Sequence, residues 1–270
     1  MRNLISYGQH YLQDQEYIDW LIKSAEITKK DNILEVGAGD GRITVELAKK
    51  AKKVVAYEID KRTANILADL TKDYRNVEVI FDNFLRCTIP DNITKIVASL
   101  PYQITEPFIE KIKKLPIERA SLIVGNTYAN SVISEIVNGK LQLLTICYFN
   151  IIKICDIPKS AFSPPPNTWS SIIILFPKSK EEIISNPPLF IMREIFEQRD
   201  KKLRNALRES LIRWYAAKGL VLTKRQSNII LSSYLSEIQS DSVLEQMNNQ
   251  EIIELYTFLC SIPYEHMEEN

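Results

Sequence analysis

Ala98-Ser99-Leu100-Pro101-Tyr102 is the stretch of this chain whose residue types point most directly to chemistry. A hydroxyl side chain, a proline and an aromatic ring come close together, directly after a strand-like run, Lys95–Ala98. Proline fixes the turn, and Tyr102 offers a face on which a flat ring can stack. The Ser99 hydroxyl and the carbonyl of Leu100 or Pro101 can accept hydrogen bonds from an amine carried by that ring. The arrangement suits methyl transfer to an exocyclic amine. A plain strand-to-helix turn would use similar residues, so the upstream sequence has to decide.

Upstream lies Asn32-Ile33-Leu34-Glu35-Val36-Gly37-Ala38-Gly39-Asp40-Gly41-Arg42. A short apolar run reads as a buried strand, and three glycines at a spacing of two open a helical pattern from Arg42 to Lys50. Glycines allow a sharp turn and a close approach to a ligand, and the helix N-terminus adds free N–H groups and partial positive charge. A second strand, Lys53–Glu58, ends in an acid roughly 20 residues beyond the first glycine, the spacing at which α/β nucleotide sites place a carboxylate on ribose hydroxyls. A third, Val77–Phe81, runs into Asp82, placed to accept from an adenine amino group. A nicotinamide site expects G-x-G-x-x-G, and Arg42 occupies the position of its last glycine. The pattern is closer to an S-adenosylmethionine site, whose ligand has no pyrophosphate to cradle.

Five blocks, in order, resemble the rRNA adenine N6-dimethyltransferases, the KsgA-type small-subunit enzymes and their Erm-type relatives. Tyr7-Gly8-Gln9-His10-Tyr11-Leu12 is similar to G-Q-[NH]-[FY]-L, Ile33–Gly41 to I-L-E-[IV]-G-x-G-x-G, and Ala98–Gln103 to A-N-L-P-Y-Q. Ser160–Ser170 resembles S-A-F-x-P-P-P-x-V-x-S, and Phe196–Leu207 resembles F-x-x-R-[RK]-K-x-L-R-N-x-L. The resemblance implies a class I S-adenosylmethionine-dependent methyltransferase, a Rossmann-like α/β sheet with a small all-helical C-terminal domain. By it, His10 and Leu12 close over the cofactor, Glu58 holds the ribose hydroxyls and Asp82 the adenine amine. Gln9, Gly37, Gly39, Ile59 and Asn83 complete that site. Ser99 sits between cofactor and target, Leu100 and Pro101 form the catalytic turn, and Tyr102 and Phe162 clamp a flipped adenine. A base must leave its stack for such chemistry.

The implied reaction makes N6-dimethyladenosine near the 3′ end of small-subunit rRNA, in ribosome biogenesis, on naked RNA or a 30S precursor and as a monomer. Three departures from the family pattern stand out. Ser99 replaces the asparagine of the turn, Gly125-Asn126-Thr127 replaces a Gln-Lys-Glu-like cluster, and Asp200 takes a basic position. They keep open a non-catalytic RNA-binding assembly factor, and the neutral charge keeps open a small-molecule amine methyltransferase, against which the Arg-rich helical block argues.

The charge balance is neutral, 34 Lys and Arg against 34 Asp and Glu, so recognition of a polyanion rests on how the cations are distributed. Arg193, Arg199, Lys201, Lys202, Arg204, Arg208 and Arg213 cluster. Lys201, Arg204 and Arg208 share one face if the segment is helical, and such a stripe would neutralise phosphates. Lys224 and Arg225 would extend it. A solvated helix face is the plainer reading.

The predicted organisation is a cofactor-binding domain over 1–177, a linker over 178–188 and a helical RNA-recognition domain over 189–270. Leu141–Ile152 and Ser170–Phe176 read as a closing antiparallel hairpin. Thr223 and the Asp241-Ser242 pair read as helix starts. Four cysteines form no C-x-x-C pair, and neither a secretory leader nor an apolar run of about 18 residues is visible. A reducing, cytoplasmic location and no membrane partner are therefore expected. Two histidines, His10 and His266, leave no His-rich metal site and make a Ser-His-Asp hydrolase a poor fit.

Overall fold

The computed structural model of the chain describes residues 10–237 and 242–264. Two compact units emerge: one runs to Ile133 and resumes over Phe149–Pro177, and the other takes Ser134–Tyr148 and continues from Lys178.

In the first unit, β2 (Asn32–Val36), β3 (Lys53–Glu58), β4 (Val77–Phe81), β5 (Lys95–Ser99) and β6 (Arg119–Gly125) are parallel, as the apolar runs predict. With β7 (Phe149–Ile157) and β9 (Ser170–Pro177) they form a seven-stranded sheet ordered β4-β3-β2-β5-β6-β9-β7, with β9 antiparallel to both its neighbours. β2, β3, β5 and β6 are nearly continuously buried, the mark of parallel strands covered on both faces. Their cover includes α1 (Gln15–Ser24), α2 (Arg42–Lys50), α3 (Ala64–Thr71), α4 (Thr105–Ile112) and α5 (Asn126–Val132). β1 (Tyr11–Leu12) pairs with β8 (Phe162–Ser163) as a separate two-stranded ribbon. The chain moves outward from β2 to β4, then returns to lay β5 on the other side of β2. That reversal makes the crevice beyond Val36 and Ser99 the expected ligand position of an open α/β sheet.

A buried ion pair ties the far end of β5. Lys95 Nζ donates to Asp31 Oδ2 (3.0 Å) and to the Glu26 carbonyl (2.7 Å), with Lys95 and Asp31 side chains each 5% exposed. Burial works against the Asp31 carboxylate, but bonds from Lys95, Thr28 and Thr94 outweigh it and hold its pKa below the ordinary value.

The expected hairpin exists, but it starts later than the sequence suggested. Lys140–Tyr148 is a helix, α6, and only from Phe149 is the run a strand. A continuous apolar stretch does not separate buried helix from buried strand by periodicity. Here Gln142, Leu143, Leu144, Thr145, Cys147 and Tyr148 are all buried, so the helix shows no polar face that would have revealed it.

The second unit is helical: α6, α7 (Lys180–Ile184), α8 (Pro187–Phe196), α9 (Leu203–Ala217), α10 (Lys224–Glu237) and α11 (Asn249–Ser261). The segment read as linker carries α7, started by a reciprocal Ser179–Glu182 capping box. Thr223 does precede a helix, and its hydroxyl accepts from Gln226 N at 3.2 Å. Asp241 lies outside the described residues, and Ser242 begins no α-helix; α11 is capped instead by Asn248, whose side chain accepts from Glu251 N. His266 also lies outside the described residues.

Candidate active site

The glycine turn between β2 and α2 places backbone where a side chain would collide. Gly37 has φ +85°, and a Cβ there would sit 2.9 Å from the Ser99 carbonyl oxygen. Gly39 has φ +56°, and a Cβ there would meet the Tyr11 ring at 3.0 Å. Both positions therefore require glycine. Glu58, at the end of β3 and 4% exposed, braces the turn: Oε2 accepts from Gly39 N and Oε1 from Asp60 N, each at 2.7 Å.

Across the crevice, β5 ends at Ser99 and the chain turns through Leu100-Pro101. Leu100 N donates to the Ile123 carbonyl (3.1 Å), and the Pro101 carbonyl accepts from Ile104 N (3.0 Å). Tyr102 is 37% exposed, and its ring lies over Gly125 with its hydroxyl 2.8 Å from Ser170 Oγ. The pairing of β6 with β9 sets Gly125 opposite Ser170, so one register fixes both the floor and the anchor of that ring. Phe162 reaches the same space from β8 while 94% of its surface is buried in the core. His10 Nδ1 donates to the Pro164 carbonyl (2.8 Å), tying the start of β1 to the proline loop beyond β8.

These elements enclose a cavity of about 770 Å³, within the ~300–1,000 Å³ usual for small-molecule sites. Of the residues expected in the cofactor site, His10, Leu12, Gly37, Gly39, Glu58, Ile59, Asp82, Asn83 and Ser99 line it. Leu100, Pro101, Tyr102 and Phe162 line it too. Gln9 lies outside the described residues.

The profile of a family described as "Ribosomal RNA adenine dimethylase" matches residues 1–264. This chain belongs to that family. A "Probable ribosomal RNA small subunit methyltransferase A" of Methanopyrus kandleri is 32% identical over 213 residues, covering 77% of each chain. One of the same name from Methanosarcina barkeri is 35% identical over 207 residues, covering 75% of this chain and 72% of its own. Among solved structures, a dimethyladenosine transferase from Plasmodium falciparum superposes with a TM-score of 0.64 at 23% identity, covering 91% of this chain and 96% of that one. The 23S rRNA methyltransferase ErmE gives 0.61 at 23% identity, covering 93% and 100%. These two likenesses establish a shared fold.

Ribosomal RNA adenine dimethylases are S-adenosylmethionine-dependent, and the residues present fit that cofactor. Gly37 and Gly39 line the cavity and let the turn pack against the Ser99 carbonyl and the Tyr11 ring, and acids stand at or just beyond the ends of β3 and β4. Asp82 is exposed at the rim, where its Oδ1 accepts from Asn83 N at 2.6 Å.

Sequence reasoning missed Tyr11, Asp40, Phe84 and Ser170, all of which line the cavity. Tyr11 follows His10 directly, and its contact with Gly39 was invisible without the fold. Burial, then the nearby Glu58, Asp60 and Asp40 carboxylates, raise the Tyr11 pKa above the ordinary phenol value. Ser170 closes the Phe-Pro-Pro-Pro block, but its bond to Tyr102 joins residues 68 apart in sequence.

The basic cluster of the second unit differs from the single helical stripe expected. Arg199, Lys201 and Lys202 lie in the connection between α8 and α9, and only Arg204 and Arg208 share a face of α9. Lys202 is the residue before the helix and Lys201 precedes it, so the i, i+3, i+4 relation of Lys201 to the arginines does not hold. Several cations are engaged within the unit: Lys201 with Glu209 (2.5 Å), Arg213 with Glu194 (2.6 Å), and Arg193 over the Tyr148 ring (4.5 Å). Arg204 is exposed and Arg208 half-buried. Among the described residues no helix is long and apolar enough to cross a membrane, and no group of three or more His, Cys, Asp or Glu could hold a metal ion.

Proposed function

We propose that this chain transfers methyl groups from S-adenosylmethionine to the exocyclic amine of adenine in small-subunit rRNA, forming N6-dimethyladenosine. The observation that carries the reading is the meeting, on one cavity, of the glycine turn and its two acids with the Ser99-Leu100-Pro101-Tyr102 turn and Phe162. A small-molecule methyltransferase would need the first half of that set but not an aromatic pair sized for a flipped base. A non-catalytic assembly factor would have no use for a turn of hydrogen-bond acceptors on the same cavity as the glycine turn.

When bound, the cofactor supplies an electrophilic methyl carbon, so no residue has to activate it. Glu58 and Asp82 hold its ribose and adenine ends, with His10 and Leu12 over it. Tyr102 and Phe162 sandwich the target base, and Ser170 keeps Tyr102 from swinging away. The adenine amine is a poor nucleophile because its lone pair is delocalised into the ring. In the first transfer Ser99 Oγ accepts from one N–H of that amine and a turn carbonyl accepts from the other, drawing the nitrogen toward tetrahedral geometry. The methylated nitrogen then loses a proton to water, and the second transfer has one N–H left for a single acceptor. The Pro101 carbonyl already takes the Ile104 amide, which favours the Leu100 carbonyl for this role. Positioning supplies most of the rate, for which well-oriented pairs gain roughly 7–11 kcal/mol.

Arg199, Lys201, Lys202, Arg204 and Arg208 of the helical unit neutralise phosphates. The chain works in the cytoplasm as a monomer on the 30S precursor. Incubating the protein with labelled S-adenosylmethionine and either naked unmethylated small-subunit RNA or 30S particles tests both parts. Label in particles alone supports the precursor as substrate, and no label in either ends the catalytic reading.

A further inference from the structure

The cavity of the first unit offers phosphate no cation. Asp40, Glu58 and Asp82 line it, and among the described residues no lysine or arginine does. The nearby arginines are already paired, Arg42 with Asp40 at 3.1 Å and Arg62 with Asp60 at 2.7 Å. Cations of the same unit gather instead at the opposite end of the sheet. β3 begins at Lys53 and ends at Glu58, so its steps of about 3.3 Å put that end roughly 16 Å from the carboxylate of the cofactor site.

The connections into β2, β3 and β4 meet there. Lys29 and Lys30 lie between α1 and β2, Lys49 and Lys50 close α2, Lys52 stands before β3 and Arg75 before β4, all of them exposed. Hydrogen bonds join these connections along one edge. Thr28 N donates to Asp31 Oδ2 (2.7 Å), and the Asp31 carbonyl accepts from Lys52 N (2.9 Å) and Lys53 N (3.3 Å). Asn76 Nδ2 donates to the Ala48 (2.9 Å) and Ala51 (3.2 Å) carbonyls, which holds the segment carrying Arg75 against the end of α2. Acids offset part of the charge: Glu46 pairs with Lys49 at 2.5 Å, Glu78 takes Lys53 at 2.7 Å, and Asp73 shares the segment of Arg75. A helix C-terminus gains from a nearby cation, and Lys29 fills that role for α2 by donating to the Lys49 carbonyl at 2.6 Å. Lys30, Lys50 and Lys52 exceed these needs, being exposed and without an ion pair among the described residues.

We propose that this edge docks the phosphate backbone of a second RNA segment, distinct from the strand that presents the target adenine. A protein of neutral net charge holds a polyanion where its cations are segregated, and in this unit they stand away from the carboxylate-lined cavity. Lysines neutralise phosphates without reading bases, so the contact would orient the RNA and leave the choice of adenine to the cavity. A folded RNA spans both ends of the sheet, whereas the few nucleotides around a flipped base do not. The proposal rests on adenine in RNA being the substrate, and it narrows that substrate to folded RNA.

The test uses the full chain with its cofactor product bound and unmethylated 30S particles. Combining Lys30→Gln, Lys50→Gln and Lys52→Gln should weaken particle binding and reduce the slope of log affinity against log salt by about two to three, close to one per lost phosphate contact. Arginine at the same positions should restore the slope, and cofactor affinity should be unchanged in both variants. Hydroxyl-radical footprinting should show wild type protecting rRNA backbone away from the target strand, with that protection lost in the glutamine variant and the target strand still covered. The proposal is overturned if the glutamine variant keeps the wild-type slope, if arginine fails to restore it, if cofactor affinity falls as well, or if the protection lost is that of the target strand. Should wild type itself fail to methylate adenine in rRNA, the reading of the site fails instead, whatever the footprint shows.

Discussion

Glutamine in place of Glu35 should flatten the pH dependence of this protein's stability near neutrality. Glu35 sits in the middle of β2 with 1% of its surface exposed, and neither carboxyl oxygen has a hydrogen-bond partner. Burial pushes its pKa from the ordinary 4.5 up to about 8, and the Glu58 and Asp40 charges add to the shift. The nearby Thr44 hydroxyl opposes it but forms no well-directed bond, being itself buried without a partner. Between those two pH values the folded protein therefore keeps a proton that the unfolded chain has lost. In that window stability falls as pH rises, by about 1.4 kcal/mol per pH unit at full effect. The contribution is whole below the unfolded pKa and is lost as pH climbs toward that of the folded state. From pH 5.5 to 7.5 the wild type should lose on the order of 3 kcal/mol relative to Glu35→Gln, whose neutral amide does not titrate. Urea unfolding followed by circular dichroism at several pH values reads this directly. Parallel profiles for the two proteins would refute the reasoning, because they would mean that Glu35 is as ionised in the fold as out of it.

The remaining predictions concern the site and its frame. Glu58→Ala should weaken cofactor binding by about 1.5–3 kcal/mol, the usual worth of a hydrogen bond to a charged group; an unchanged dissociation constant by calorimetry would remove Glu58 from the ribose. Tyr102→Ala should abolish methyl transfer while leaving cofactor affinity within a few-fold, and surviving turnover would show that the ring is no platform. Lys95→Met leaves the Asp31 carboxylate buried without its cation and should cost about 3–5 kcal/mol in unfolding free energy, visible as a lower urea midpoint. A midpoint unmoved by that change would mean the pair is solvated in practice.

What could be read from the sequence was whatever is encoded locally. The strand ending at Val36, the helix from Arg42 and the acids Glu58 and Asp82 are each declared by a few adjacent residues, and the cavity gathers them. The turn at Ser99 was legible for the same reason. Contacts between distant segments were not. The Tyr102–Ser170 bond and the seat of Tyr11 against Gly39 depend on register across the sheet and on the β1–β8 ribbon, which no local pattern records. The apolar run before Phe149 misled because a helix buried on all sides and a central strand have the same composition. The basic stripe misled because the helix begins at Leu203, after two of its lysines.

The most direct test is mass analysis of nucleosides from unmethylated small-subunit rRNA, offered as 30S particles, after incubation with the protein and S-adenosylmethionine. The account predicts that adenosine carrying two methyl groups on N6 accumulates and is lost with Tyr102→Ala. Methylation of ribose, of another base, or of nothing at all would contradict it.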